Sequence, residues 1–315
     1  MINSKNIFIT VLFIIFCSAA FAQEVFKNDE VTVSKLDKGV YVMETFDKTT
    51  MYIVEGAKRA LLIDTGTKCD SLDKIVRKIT SKPFDVVLTH NHGDHSGNIQ
   101  YFDEVYMHPA DTVLELNKKF TGKYKWLNEG DVFDLGGGRK IETLLMPGHT
   151  PGSVVLLDKT INAVYTGDAF GSGHVWLQLR PHLSMKIYHK SCVRMEKIMQ
   201  EQNITKIYCG HYPSVKHAFG MSYIIEMKNL AEKISAGDTV GSQPYPVPSR
   251  NNKAVFLQDG EALIVFDPEN INDRKDVLIL LVHPDIKTSK ANAALINAVK
   301  DFPYVKIINM YDEPF

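Results

Sequence analysis

Residues 86–98 read VVLTHNHGDHSGN, and this stretch places three histidines and one aspartate within six positions directly after an apolar run. The whole chain contains only eleven histidines in 315 residues, so their concentration in one loop calls for a physical reason. Imidazole nitrogens and carboxylate oxygens are the protein ligands that zinc and similar divalent ions prefer. An ordinary polar turn does not need four such groups, so the spacing predicts a metal site that contains His90, His92, Asp94 and His95.

Three further polar motifs occur later in the chain, and each follows a short apolar run. They are His149 in PGHTPGS, Asp168 in TGDAF and His211 in CGHYP. Loops on a rigid scaffold commonly present functional side chains. We therefore expect these three residues to reach the same sheet edge as the histidine-rich loop.

The two halves of the histidine-rich loop can serve different ions. His90 and His92 are two positions apart in an extended segment, so their rings can converge on one ion. Asp94 and His95 point elsewhere and can bind a second ion, and Asp168 can bridge the two. A pair of divalent ions holds a hydroxide at neutral pH and polarises the bond that the hydroxide attacks. With His149 and His211 completing the two sets, the residues predict a dinuclear centre.

The motifs THNHGDH, PGHTPGS, TGDAF and CGHYP together resemble those of the metallo-β-lactamase-fold hydrolases, over about residues 30 to 270. The resemblance implies a mixed α/β and α+β chain folded as an αββα sandwich, with a dinuclear, usually zinc, site at one edge of its two sheets. Asp94 is also the predicted catalytic residue, and Asp64 is predicted to support the ligand loop from behind. Motif by motif, the implied ligands are His90, His92 and His149 for the first ion, Asp94, His95 and His211 for the second, and Asp168 as the bridge.

Asp168 also bears on which bond is hydrolysed. In the family that the chain resembles, true β-lactamases tend to carry Cys or Ser at this position, whereas glyoxalase II-like thioesterases, lactonases and phosphodiesterases carry Asp. The resemblance therefore implies a hydrolase with two zinc ions, or iron or manganese, that attacks an ester, thioester or lactone with a metal-bound hydroxide. A phosphodiesterase and a β-lactamase are the alternatives. His174 and Trp176 follow Asp168 closely and are predicted to line the substrate pocket, although a Trp in an apolar run can equally be core.

The C-terminal segment raises an alternative of another class, a flavodiiron-like oxidoreductase. Residues 273–315 read as strand, loop, helix and strand, and resemble the opening βαβ unit of flavodoxin-like NAD(P)H quinone oxidoreductases. Flavodiiron sites typically carry Glu where this chain has His92, and one βαβ unit lacks most of a flavin site. We therefore predict a hydrolase domain over residues 23–272, a partial flavodoxin-like segment over 273–315, and no bound flavin.

Composition and the N-terminus bear on partners and location. Lys and Arg total 36 against 37 Asp and Glu, for a net charge of −1, and no basic block occurs. This balance argues against nucleic acid or an anionic membrane as the main partner and leaves a small-molecule substrate. Lys5, an apolar run over residues 7–16 and the small residues Ala20 and Ala22 predict a signal peptide over 1–22, cleaved after Ala22. The mature protein is then periplasmic or extracellular, with a lipid anchor at Cys17 as a minor alternative.

Helical periodicity alternates with short apolar runs along the rest of the chain. The segment DSLDKIVRKIT carries Leu72, Ile75, Val76 and Ile79 at helical spacing. Further helices are predicted at ADTVLELNKKF (residues 110–120), at MKIYHKSCVRMEKIMQ and over residues 221–234. The three cysteines of the mature chain are predicted to be single buried thiols, because an odd number implies no complete disulfide framework.

Overall fold

The computed structural model describes residues 23–179, 181–246, 253–272, 277–283, 285, 288–300 and 305–311. The predicted signal peptide over 1–22, with Cys17, lies outside the described residues. Export and lipid attachment therefore stay predictions.

The first half of the chain forms an eight-stranded sheet whose strands follow one another in sequence order. The strands are β1 (Gln23–Lys27), β2 (Val31–Asp37), β3 (Val40–Thr45), β4 (Thr50–Glu55), β5 (Ala60–Ile63), β6 (Phe84–Val87), β7 (Glu104–Met107) and β8 (Lys123–Trp126). Strands β1 to β5 pair antiparallel, and β5 to β8 pair parallel. Helix α1 (Leu72–Ile79) connects β5 to β6, and the single turn α2 (Gly93–Ser96) follows β6.

A second sheet of five strands faces the first. Its strands are β9 (Val132–Gly136), β10 (Arg139–Leu145), β11 (Val154–Asp158), β12 (Ala163–Gly167) and β14 (Lys206–Cys209), in the order β14-β12-β11-β10-β9. A third, four-stranded sheet contains β13 (His174–Trp176), β15 (Gln243–Pro244), β16 (Val255–Asp259) and β17 (Ala262–Phe266). The remaining helices of this region are α3 (Met185–Glu201), α4 (Tyr212–Val215) and α5 (Met221–Ser235).

Strand alternation distributes the apolar side chains over three layers of core. On β4, Tyr52 and Val54 pack between the two large sheets, whereas Met51 and Ile53 pack with α1 on the opposite face. Strand β11 repeats the pattern, because Val154 and Leu156 face the first sheet and its other apolar residues face α3 and α5. Successive side chains of a strand point to opposite faces, so both sheets are buried on both sides. The layers are helix, sheet, sheet, helix, the predicted αββα arrangement.

An ion pair inside the sandwich ties the two large sheets together. The guanidinium of Arg139, on β10, donates to the carboxylate of Asp158 at the end of β11, and both side chains are buried. The same guanidinium donates to three backbone carbonyls of the first sheet, those of Lys38, Gly39 and Glu55. Because every partner lies in protein, removal of one member leaves a buried charge uncompensated.

A second contact between the sheets involves Asp37 at the end of β2. Its carboxylate accepts hydrogen bonds from Lys206 and from the Tyr208 hydroxyl, both on β14. Burial raises the pKa of Asp37, but the hydrogen bonds from Lys206, from the Lys38 amide and from Tyr208 outweigh burial and hold the pKa below its ordinary value. The ionised carboxylate is therefore the form that stabilises the fold.

The helix predicted over residues 110–120 is wrong. The chain forms a 3-10 turn over Pro109–Val113 and leaves it at Leu114 in an extended conformation, with no helix up to Phe120. Val113 is 63% exposed, so its apolar side chain has little core to pack on. Asp111 turns inward instead and bonds to two other loops, as described below. A helical pattern without a buried face is overridden by such tertiary contacts.

The C-terminal segment has the predicted order of strand, helix and strand. Strands β18 (Val277–Leu281) and β19 (Val305–Asn309) pair parallel, and α6 (Lys290–Val299) connects them. Val299 and Val305 pack against the cluster between the two large sheets. The likeness of this unit to a flavodoxin stays a prediction. Within the described part of the chain, no helix is long and apolar enough to cross a membrane.

Candidate metal centre

The histidine-rich loop follows β6 at the edge of the first sheet. His90 and His95 are buried, whereas His92 and Asp94 are half-buried. His92 precedes the single turn α2, and its carbonyl accepts hydrogen bonds from the amides of His95 and Ser96 at 2.9 Å. The turn therefore directs His95 to a different place from His92.

One group of possible ligands contains three histidines. His90, His92 and His149 each offer a ring nitrogen, and these nitrogens all lie within 4.8 Å of one another. His149 comes from the loop between β10 and β11, and its Nδ1 donates to the carbonyl of Trp176 at 2.9 Å. That bond leaves Nε2 of His149 as an acceptor, and this atom is in hydrogen-bond contact with Nδ1 of His92 at 2.9 Å.

A second group lies beside the first and contains Asp94, His95, Asp168 and His211, again within 4.8 Å. Asp168 follows β12 and His211 follows β14. The Asp168 carboxylate is 3.3 Å from Nε2 of His211, 3.5 Å from Nε2 of His95 and 3.8 Å from Nε2 of His149. One carboxylate thus reaches both groups, in the position predicted for a bridge.

The two groups fit a pair of divalent cations, and their unpaired buried atoms support this. Nε2 of His90, Nε2 of His95 and Oδ1 of Asp168 are buried and make no hydrogen bond within the described part of the chain, although the last two face each other at 3.5 Å. Leaving a buried polar atom unpaired costs about 1–3 kcal/mol, so three such atoms in one place need an explanation. Nitrogen and carboxylate donors at this spacing suit zinc and other borderline divalent ions.

The pKa shifts differ between the two groups. Burial would lower the pKa of His95 and of His211, but the Asp168 carboxylate raises both, that of His95 well above its ordinary value. Burial and the neighbouring imidazoles of His95 and His149 push the pKa of His90 well below its ordinary value, so this ring is neutral. Burial also lowers the pKa of His149. Burial would raise the pKa of Asp168, but His211 and His95 hold it well below the ordinary value. His90, His149 and Asp168 are therefore in the forms that bind metals, which are neutral imidazole and ionised carboxylate.

Asp64 supports the histidine-rich loop from behind, in the position predicted for it. Its carboxylate accepts from the amide and hydroxyl of Thr89, each at 2.7 Å, and from Nδ1 of His95 at 2.8 Å. The last bond leaves Nε2 of His95 directed at the second group. Asp64 has a φ of 61°, a left-handed conformation that Asp tolerates better than most residues.

Asp111 is a supporting residue that the sequence did not reveal. It is buried and accepts from the Asn91 amide at 2.9 Å, the Gly152 amide at 2.6 Å and the Thr150 hydroxyl at 3.0 Å. Asn91 lies between His90 and His92, and Thr150 follows His149. One carboxylate therefore joins the two loops that carry the first group. The sequence did contain an indication, because HPAD (residues 108–111) places a polar residue after an apolar strand as in the other motifs. Asp111 was assigned to the predicted helix over 110–120 instead.

A cavity of about 1370 Å³ opens onto both groups. His174 and Trp176, the two predicted pocket residues, both line it, and the Trp176 ring meets Tyr245 edge-on at 5.4 Å. Residues 113–119 also line the cavity, and within this segment Lys118 pairs with Glu115 at 2.8 Å. The cavity therefore has an aromatic part, at Trp176 and Tyr245, and a segment that is apolar at Val113 and Leu114 and carries both signs of charge at Glu115, Lys118 and Lys119.

Cys209 lies two residues before His211 and is a possible rival nucleophile. It is fully buried, it packs in the cluster beneath α3 and α5, and burial raises the pKa of its thiol to about 12. A thiol nucleophile must ionise and reach its substrate. Cys209 does neither, and Cys69 and Cys192 are likewise free and buried.

Comparison with known proteins decides the family. The sequence model of the metallo-beta-lactamase superfamily matches residues 45–211, about half of the chain. The chain belongs to this superfamily. A solved structure of a metallo-beta-lactamase from Pontibacter korlensis superposes with a TM-score of 0.52 at 17% identity, over 64% of this chain and 99% of that one, and shows the shared fold.

Relatives in this superfamily include thioesterases. The acyl-coenzyme A thioesterase MBLAC2 of Gallus gallus is 27% identical over 209 residues, which span 54% of this chain and 74% of that protein. The atrochrysone carboxyl ACP thioesterase AacuM of Aspergillus aculeatus is 30% identical over 128 residues, 39% of this chain and 40% of that protein. With the superfamily match, these relatives identify the protein as a metal-dependent hydrolase.

Proposed function

We propose that the protein hydrolyses thioesters with two zinc ions held by the two groups of the metal centre. His90, His92 and His149 would hold the first ion, Asp94, His95 and His211 would hold the second, and Asp168 would contribute to both. The observation that carries the proposal is the Asp168 carboxylate, which lies 3.3 Å from His211 in one group and 3.8 Å from His149 in the other. The names of the relatives from Gallus gallus and Aspergillus aculeatus support a thioester in particular.

Two zinc ions at this site would supply an ionised water at neutral pH and polarise the substrate carbonyl. The residues of the chain hold and orient the reactants. Asp94 has 40% of its side chain exposed toward the cavity, so its carboxylate can orient the attacking water and take up its proton. The Asp64 carboxylate accepts from Nδ1 of His95, and the Trp176 carbonyl accepts from Nδ1 of His149. Each ring therefore carries its proton on Nδ1 and keeps Nε2 available to a ligand in the centre.

Cleavage of a thioester does not require the site to protonate the leaving group strongly. A thiol has a pKa near 8.5, so the departing thiolate is stable enough to leave without a strong proton donor. The cavity walls suit the two ends of such a substrate. Leu114 and Trp176 offer apolar surface to an acyl chain, and Lys119 offers positive charge beside the Lys118–Glu115 ion pair.

The test is a hydrolysis panel on protein reconstituted with zinc. Thioesters, oxygen esters, lactones, phosphodiesters and β-lactams are compared, and we expect the thioester to have the highest kcat/KM. A β-lactam or a phosphodiester that turns over faster than every ester would overturn the substrate class. Bound iron with FMN in place of zinc would support a flavodiiron-like oxidoreductase instead.

Zinc content tests the ligand assignment separately. His92→Ala and His95→Ala each remove about a third of one ion's protein ligands, so each variant should lose roughly one of two zinc ions and most of its activity. His217→Ala is the matched control, because His217 is exposed, belongs to neither ligand group and contacts Glu261 and the Val215 carbonyl. Two zinc ions retained in both ligand variants, measured by elemental analysis, would contradict the assignment.

A further inference from the structure

Gln178 lines the cavity of the metal centre at a place where the backbone is held firmly. It follows β13, whose carbonyl at Trp176 accepts from His149, and the next amide, that of Leu177, donates to the carbonyl of Val265 at 2.8 Å. Leu177 is buried in the core beneath. The residue therefore projects from a rigid segment, which suits a group that must meet a ligand in a fixed position.

The side-chain amide of Gln178 is buried and unsatisfied. The residue is 5% exposed, and neither its amide nitrogen nor its amide oxygen has a hydrogen-bond partner in the described part of the chain. Asn91, which lines the same cavity, also has a buried amide oxygen without a partner. A buried polar group without a partner is costly, and a carboxamide with both a free donor and a free acceptor is more costly still.

A substrate that enters the cavity can supply the missing partners. A secondary amide offers one N–H donor and one carbonyl acceptor, and so complements both atoms of the Gln178 side chain. Thiols that carry acyl groups in biology, such as coenzyme A, the pantetheine arm of carrier proteins and glutathione, share an amide nitrogen two carbons from the sulfur. This shared group lies close to the thioester bond that the metal centre would cleave.

We infer that Gln178 is a specificity residue that binds the amide of the substrate's thiol arm, and so selects amide-bearing thioesters over simple alkyl thioesters. This inference rests on the proposed thioester hydrolysis. Two neutral hydrogen bonds in a desolvated site give about tenfold discrimination. Selection acts on the thiol portion of the substrate, while the acyl chain lies elsewhere in the cavity.

The experiment compares wild type with Gln178→Met, which is close in volume and lacks the amide, and with Gln178→Leu as a second variant. Gln202→Leu is the matched control, because Gln202 also has a buried unpaired amide oxygen but does not line the cavity. The substrates are the N-acetylcysteamine and S-pentyl thioesters of one fatty acid. Binding of a non-hydrolysable N-acetylcysteamine thioether to zinc-loaded protein is measured by tryptophan fluorescence, since Trp176 lines the cavity.

We expect the ratio of kcat/KM for the amide-bearing thioester to that for the alkyl thioester to fall about tenfold in both Gln178 variants. Thioether affinity should fall by a similar factor, and the Gln202 control should match wild type. The free Gln178→Met protein should be at least as stable to urea as wild type, because an unpaired buried amide has been removed. A residue with a structural role would lose stability instead.

An unchanged ratio in well-folded variants, or no detectable thioether binding by wild type, would overturn the inference. Loss of thioether binding in the Gln178 variants, with no thioester hydrolysed by wild type, would refute the proposed function and leave the amide site standing. Thioesters of coenzyme A, of a carrier protein and of glutathione, assayed with the same acyl group, identify which source of the amide is preferred.

Discussion

Asp111 is expected to hold the metal centre together through the two loops that it joins. Replacement of Asp111 by Ala removes the acceptor of the Asn91 and Gly152 amides. The Thr150 hydroxyl keeps its contact with the Ser153 hydroxyl at 2.8 Å, so two donors, and not three, lose their partner. An unpaired buried donor costs about 1–3 kcal/mol. With partial relief by water in the space left behind, we expect a loss of about 3 kcal/mol in the free energy of unfolding.

The assay combines urea unfolding of the metal-free protein with zinc affinity measured by equilibrium dialysis. Residues that support metal ligands typically change metal affinity by about 10–100-fold, and we expect a loss in that range for Asp111→Ala. Gly152→Ala should also lower stability and zinc affinity, because the added Cβ would lie 2.7 Å from Oδ1 of Asp111 and would push its carboxylate away. Asp134→Ala is the control, since Asp134 is exposed and accepts one hydrogen bond from Gly136, and should change stability by less than about 0.5 kcal/mol.

Asp111→Ala protein that matches the Asp134→Ala control in both stability and zinc affinity would refute this role of Asp111. A loss of stability with full zinc affinity would show that Asp111 supports the fold and leaves the ligand geometry unaffected.

Further outcomes follow from other contacts. Cys209→Ala should keep most of its hydrolytic rate, and a large loss in a folded, zinc-loaded variant would reinstate the thiol as a nucleophile. Arg139→Met should lose about 3–5 kcal/mol of unfolding free energy by urea titration, because it leaves a buried carboxylate uncompensated, whereas Lys159→Met at the surface should lose less than about 0.5 kcal/mol. Because the pKa of Asp37 is lowered in the fold, its ionised carboxylate stabilises the protein fully above about pH 4, the ordinary pKa of an Asp side chain. This contribution is lost as the pH falls through the lowered pKa, so the stability gap between wild type and Asp37→Asn should close in acid and stay open at neutral pH. Purified protein should show no flavin absorbance, and a soluble variant without residues 276–315 should retain metal-dependent hydrolysis; yellow protein or an inactive, zinc-loaded deletion would contradict this.

Local chemistry made much of the fold and of the candidate site predictable. Alternating apolar residues identified strands such as β4, because a strand between two layers must send successive side chains to opposite faces. The HxHxDH spacing predicted a cluster of possible ligands, which the structure brings together with His149, Asp168 and His211, because few structural needs collect imidazole and carboxylate so densely. Asp168 and His211 were found for a related reason, since each is a polar residue at the end of an apolar strand.

The tertiary structure alone decided which distant groups meet and which remain unpaired. Asp111 supports two loops because β7 brings it beside the chain around Asn91 and Thr150, and no local pattern encodes that meeting. The helix predicted around it did not form, because its apolar face has no core to pack on and the carboxylate gains hydrogen bonds elsewhere. Gln178 is an ordinary residue in the sequence. Only burial without a partner, on the wall of a cavity, gives it significance, because hydrogen-bond satisfaction depends on every neighbour in space.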